Sequence, residues 1–195
     1  MLAAVILSGG ASRRMGSPKA LLPYHGRSFL EHLLNVTIQP EIGVKRVVLG
    51  AHAELIAKAV HLAADEVVIN KEWERGQLSS LHAALRSLPP GTDGILLCLV
   101  DHPLINATLV HSVIERFYSA KKLIVLPSYK GRRGHPVIFS SFLYGELLQA
   151  PLEIGARAVV RAHADEVEEL LTNEAGCVLN INDPDTLQKA LHHAD

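Results

Sequence analysis

The chain has 195 residues, 48% of them hydrophobic and 20% charged, with a formal net charge of -1 and two cysteines. This length supports one globular domain whose core needs no disulfide staples, and the near-neutral balance argues against a general nucleic-acid binder, whose domain is ordinarily basic. Cys98 and Cys177 form no C-x-x-C pattern, the chain starts without a charged leader, and no apolar run reaches the roughly 18 residues that span a bilayer; the expectation is a cytoplasmic protein with no membrane or nucleic-acid partner.

Leu2 to Leu7 is continuously apolar and bounded by Ser8, Gly9 and Gly10, as a strand buried on both faces reads. The loop behind it carries Gly9, Gly10 and Gly16 with Arg13, Arg14 and Lys19, and no acid precedes Glu31. Glycines let a ligand approach backbone N–H groups, Arg offers a planar fork and Lys a mobile point charge. A polyanion is the fitting partner, with a solvated basic turn as the alternative. The loop is neither of two familiar phosphate devices: Pro18 interrupts the dinucleotide pattern, and Ser17-Pro18 separates Gly16 from Lys19 where G-x-x-x-x-G-K-[ST] allows nothing.

Ser28 with Glu31 reads as a capping box for a helix from Phe29 to about Val36. Val44 to Gly50 is a second buried strand, Ala53 to Ala64 a helix and Glu66 to Ile69 a third strand, an alternation that implies a parallel sheet. Asn70 to Gly76 is a polar loop holding the only Trp, Trp73. The helix that starts at Gln77 carries Ser79 and Ser80, which suit a phosphate, ribose or base, or simply cap. Gly94 to Val100 is the most apolar strand and ends at Asp101. Open α/β sheets gather ligand-binding groups at such strand ends, and a hard cation on phosphate oxygens would neutralise the carboxylate; capping the next turn is the alternative.

Ala107 to Ala120 is the longest expected helix, and Leu123 to Pro127 a strand. Lys130-Gly131-Arg132-Arg133-Gly134 then leads through His135 and Pro136 into a strand ending at Phe139. Ser141 to Gln149 and Ile154 to His163 are expected helices. Asn180 and Asn182 share one side of an extended segment by alternation, and Asp183 with Pro184 opens the last helix. Residues 163 to 195 hold eight acids against Lys189 alone, which reads as a solvated acidic face.

Five of these segments, in order from Leu2 to Leu187, resemble the nucleotidyltransferases of molybdenum-cofactor biosynthesis. They are L-S-G-G-x-S-R-R-M-G-x-P-K, N-x-x-W-x-x-G-x-x-S-S-L, D-x-P-L, G-x-x-G-H-P-V-x-F and N-I-N-D-P-D-T-L. The resemblance implies one Rossmann-like three-layer α/β/α domain over residues 1–195, mostly parallel with a small antiparallel part around Gly134 to Phe139. It further implies transfer of CMP or GMP from CTP or GTP to the phosphate of molybdopterin, with Mg2+ and loss of pyrophosphate, and a molybdoenzyme as recipient. On that pattern Arg13, Lys19 and Asp101 are catalytic. Leu7, Ser8, Gly9, Gly10, Asn70, Ser79 and Ser80 join Arg13 and Lys19 in binding the nucleotide. Asp101 and Asn182 hold the metal, while Gly134, His135 and Pro136 face the acceptor. Departures are Ser8 for Ala, Ile154 where relatives have Asp, and His102 where they have Gln or Met, to which no role is given. A non-catalytic carrier of the dinucleotide cofactor and a sugar-phosphate nucleotidyltransferase are the alternatives.

Overall fold

Strand β1 (Leu2–Ser8) is buried along its whole length, because it has strands on both edges and helices over both faces. Its alternating side chains feed two separate cores: Leu2 and Ile6 join one, Ala3, Val5 and Leu7 the other. A Leu or Ile buried in either contributes about 1.5–3 kcal/mol. The structure is a computed structural model and describes residues 1–192.

In chain order the strands after β1 are β2 (Pro23–Tyr24), β3 (Arg27–Ser28), β4 (Ile42–Leu49), β5 (Val67–Ile69) and β6 (Gly94–Leu99), then β7 (Ile124–Tyr129), β8 (Arg132–Arg133), β9 (Val137–Ser140) and β10 (Val167–Leu171). The helices are α1 (Phe29–Val36), α2 (Ala53–Val60), α3 (Gln77–Arg86), α4 (Ala107–Ala120), α5 (Tyr144–Gln149), α6 (Arg157–Ala162) and α7 (Pro184–His192). The main sheet runs β10-β7-β9-β6-β1-β4-β5, with β8 paired to β7. Strands β5, β4, β1 and β6 are mutually parallel, and so are β7 and β10; β9 runs antiparallel between β6 and β7. The expected mostly parallel α/β sheet with a small antiparallel part is therefore the observed one.

From β1 the chain moves outward to β4 and β5 on one side and later to β6 on the other. The crevice beyond the carboxyl ends of β1 and β6 is thus a topological switch point, where open α/β sheets bind ligands. Helix α1 starts with the expected capping box: Ser28 Oγ accepts from Glu31 N–H, and the Glu31 carboxylate accepts from Ser28 N–H at 2.7 Å.

Three local expectations change. Helix α2 stops at Val60, not Ala64, because His61 turns left-handed (φ 54°) and its N–H closes on the Ala57 carbonyl. Helix α6 begins only at Arg157, after Gly155 turns the chain at φ 77°. The acidic stretch, expected as a solvated face, contains β10, an edge strand whose Glu168 and Glu169 pair with Arg116 (3.4 Å) and Arg133 (2.8 Å). Acids on an edge strand blunt pairing with another chain.

Candidate active site

The loop after β1 is fixed before any ligand arrives. Ser12 takes a left-handed conformation (φ 52°), its carbonyl accepts from Met15 N–H, and its Oγ accepts from Lys19 N–H at 3.0 Å. Gly9 carbonyl accepts from Ala51 N–H, tying the loop to the end of β4. A Cβ on Gly50 would stand 2.5 Å from both Gly9 O and Trp73 Cβ, so Gly50 is what lets the loop and the tryptophan meet. Nothing in the sequence marks Gly50 for this part, since the constraint exists only in three dimensions.

The loop forms one wall of a cleft of about 350 Å³. Of the residues expected to bind nucleotide, Leu7, Ser8, Gly9, Gly10, Arg13, Lys19 and Ser80 line it, together with Asp101 and Asn182. Asn70 and Ser79 stand behind the wall: Asn70 Nδ2 donates to Ser79 Oγ at 2.9 Å and to Ser80 Oγ at 3.0 Å, and Ser79 Oγ donates to the Gly76 and Glu72 carbonyls. Their hydrogen bonds hold the Trp73 loop onto the first turn of α3. Neither residue reaches the cleft in this structure.

Lys19, Asp101 and Asn182 converge across the cleft from three distant segments. Lys19 Nζ donates to Asn182 Oδ1 at 2.6 Å and lies 3.7 Å from Asp101 Oδ2. The Asp101 carbonyl accepts from Ile181 N–H at 2.7 Å, which ties the C-terminal segment to the end of β6. Burial pulls the Lys19 ammonium below its ordinary pKa, and the Asp101 carboxylate opposes that shift. One carboxylate and one amide oxygen therefore face the same point. Among the described residues no trio of His, Cys, Asp or Glu forms a complete metal cage. Magnesium is ordinarily held by one or two carboxylates with substrate phosphates and water completing the octahedron, so this donor set fits such an ion only with a phosphate present.

A second cavity, about 760 Å³, adjoins the first. Leu7, Gln77, Leu99 and Asp101 line both, which puts Asp101 at the junction. Gly134 and His135 line the second cavity, whereas Pro136 is buried and does not. Gly134 is small for a reason other than ligand approach: a Cβ there would stand 2.4 Å from the Cys177 carbonyl oxygen. His135 N–H donates to that same carbonyl at 2.8 Å. The His135 ring lies against that of His102 (centroids 4.8 Å apart), and among the described residues neither buried Nδ1 has a hydrogen-bond partner. Burial, then the neighbouring His102, pushes the His135 imidazole down to about 3; burial likewise lowers His102, with Asp101 opposing. His102, given no role from sequence, is thus part of the cavity wall.

Asn180 and Asn182 divide between the cavities. The intervening Ile181 is buried, so alternation holds, but Asn180 lines the larger cavity and Asn182 the smaller.

A glycine-and-cation loop after the first strand of an open sheet, a carboxylate beyond the end of the neighbouring strand and two cavities meeting there lie on a fold shared with solved nucleotidyltransferases. The chain belongs to the MobA-like NTP transferase family, whose domain model matches residues 4–167. It is 32% identical over 145 residues to nicotine blue oxidoreductase of Paenarthrobacter nicotinovorans, covering 71% of each chain. Among solved structures it is similar to Rv0371c of Mycobacterium tuberculosis, with 29% identity, 98% of both chains covered and a TM-score of 0.79; a manganese complex of that protein gives 28%, 98% of both chains and 0.77. The molybdopterin-guanine dinucleotide biosynthesis protein A of Archaeoglobus fulgidus shares the fold at 19% identity, 99% and 98% coverage and a TM-score of 0.69. Among the described residues no helix is long and apolar enough to cross a membrane.

Proposed function

We propose that the protein transfers CMP from CTP to the terminal phosphate of molybdopterin, releasing pyrophosphate, and acts as a single domain over residues 1–195. The observation that carries this reading is the position of Asp101, shared by a cation-lined cleft and a larger cavity. In-line displacement at the α-phosphorus needs the triphosphate and the attacking phosphate on opposite sides of one point, and Asp101 marks it. Catalysis of phosphoryl-type transfer is mainly positioning and charge neutralisation.

The chain's own residues divide the work. Gly9 and Gly10 let backbone N–H groups approach the triphosphate, and Arg13 takes up oxygen charge. Lys19 exchanges its contacts with Asn182 and Asp101 for the α- and leaving-phosphate oxygens as negative charge develops there. The attacking oxygen belongs to a phosphate already ionised near neutral pH, so no general base is required. A divalent cation, Mg2+ on this reading, would be held by Asp101 and Asn182 and would supply Lewis-acid polarisation of phosphate oxygens. The solved manganese complex of a 28%-identical protein supports a divalent ion in this family.

Cytosine is the first choice of base and guanine the second: Ser17-Pro18-Lys19, the Ser79-Ser80 segment and the Gly131 to Phe139 loop lean to CTP, whereas Gly9 after Ser8 and the two asparagines lean to GTP. A molybdoenzyme then receives the product. The relationship to nicotine blue oxidoreductase supports a second reading, an oxidation or reduction of an organic compound in the larger cavity, whose wall includes Leu78, Leu81, Leu126 and Phe139. Steady-state pyrophosphate release with molybdopterin, Mg2+ and each of CTP, GTP and UTP tests the transfer, with NADH and NADPH oxidation measured alongside. CTP-dependent pyrophosphate release is the expected result; nicotinamide oxidation without pyrophosphate would favour the second reading.

A further inference from the structure

The larger cavity has a charge pattern that the reacting phosphate does not explain. Arg132, Arg133, Arg157 and Arg161 line it, against two carboxylates, Asp101 and Glu153. Arg133 is paired with Glu169 through both Nε and Nη2 at 2.8 Å. Among the described residues, Arg132, Arg157 and Arg161 have no carboxylate within ion-pair distance. The last two are four residues apart on α6 and so share a face. Arg132 comes from the β8 hairpin, and all three are exposed at the rim. The nucleotide cleft has its own cations, Arg13, Arg14 and Lys19, and none of the rim arginines lines it.

Like charges lining one cavity without partners repel, and the fold gains nothing from them. Their guanidinium forks are shaped for oxyanions. The reacting phosphate must sit at the junction with the cleft, among Asp101, Gln77, Leu7 and Leu99, because only there does it face the triphosphate. We propose that Arg132, Arg157 and Arg161 form a clamp for a second anionic group of the acceptor, so that the site selects acceptors bearing a negative group besides the phosphate that reacts. This rests on the reading that the larger cavity holds the acceptor.

The test uses the full chain and two fluorescent probes that differ only in an anion, pterin and pterin-6-carboxylate, with the variant Arg157→Gln/Arg161→Gln. Both positions are exposed on α6, and CTP quenching of Trp73 fluorescence checks that the neighbouring cleft is intact. The clamp predicts that the wild type binds the carboxylate about tenfold or more tightly than pterin, as one charge-assisted pair is worth, and that the variant binds both alike. It also predicts that the KM for molybdopterin, whose ene-dithiolate is the second anionic group, rises in the variant. Equal affinities in the wild type, or a preference that survives in the variant, overturn the clamp. Absence of transfer to molybdopterin by a wild type that discriminates between the probes overturns the proposed acceptor and leaves the clamp standing.

Discussion

Replacing Lys19 by alanine separates chemistry from folding. The Lys19 side chain is 14% exposed, and its ammonium donates to Asn182 at 2.6 Å and lies 3.7 Å from Asp101. The backbone at this position is held independently by the Lys19 N–H bond to Ser12 Oγ, so truncation leaves the loop in place. Asn182 loses a charged donor, but the Asp101 side chain is 26% exposed and can be rehydrated. The net stability loss should be about 1 kcal/mol, which for a chain of this size lowers Tm by about 2–4 °C. The same ammonium, on the reading proposed, meets charge that develops only during transfer. Removing one preorganised donor of that kind costs about 2.7–4 kcal/mol, or about 10²- to 10³-fold in turnover. Pyrophosphate release at saturating CTP, with a melting curve on the same sample, measures both. Turnover within a few-fold of wild type in a folded Lys19→Ala variant would refute the role; a large fall in Tm matching the fall in turnover would make Lys19 structural.

Two glycine substitutions should give opposite results. Gly134→Ala drives a Cβ to 2.4 Å from the Cys177 carbonyl and should cost about 1–3 kcal/mol or more, whereas Gly10→Ala meets nothing within 4 Å. Gly10→Ala should therefore melt like wild type yet bind CTP about tenfold or more weakly, as followed by quenching of Trp73; normal CTP binding would remove Gly10 from the site. A third prediction concerns pH. His135 is held down to about 3, chiefly by burial, while in the unfolded chain imidazole titrates near 6.5. The unfolded state thus binds more protons between these values, and stability is lost as pH falls below about 6.5. His135→Asn should show a shallower decline of Tm between about pH 6.5 and 5; parallel declines would mean that His135 does not carry the effect.

What could be read in advance was local. The continuous apolar run of β1, the Ser28–Glu31 box and the carboxylate closing β6 each announce themselves within a few residues, and each is where expected. The convergence of Lys19, Asp101 and Asn182 was suggested by motif order and depends on the switch point between β1 and β6. Features set by contacts across the chain were not legible. Gly134 reads as a ligand approach but is small because of Cys177, and Gly50 is small because of Gly9 and Trp73. Asn70 matched a motif, yet its amide is spent on Ser79 and Ser80. β10 escaped because Val167-Glu168-Glu169-Leu170-Leu171 lacks the apolar run of a central strand; it is an edge strand balanced by Arg116 and Arg133. The i, i+4 spacing of Arg157 and Arg161 was visible in the sequence, but which cavity they face was not.

On the function proposed, Asp101 joins two substrates so that a nucleoside monophosphate passes between them. The direct measurement is incubation with CTP labelled at the α-phosphate, Mg2+ and molybdopterin, followed by mass analysis of the pterin product in wild type and Asp101→Asn. Label in a molybdopterin-cytosine dinucleotide from the wild type, with at least about a hundredfold less from the variant, is the predicted result. Labelled product formed equally well by Asp101→Asn, or none from either protein with every triphosphate, would contradict it.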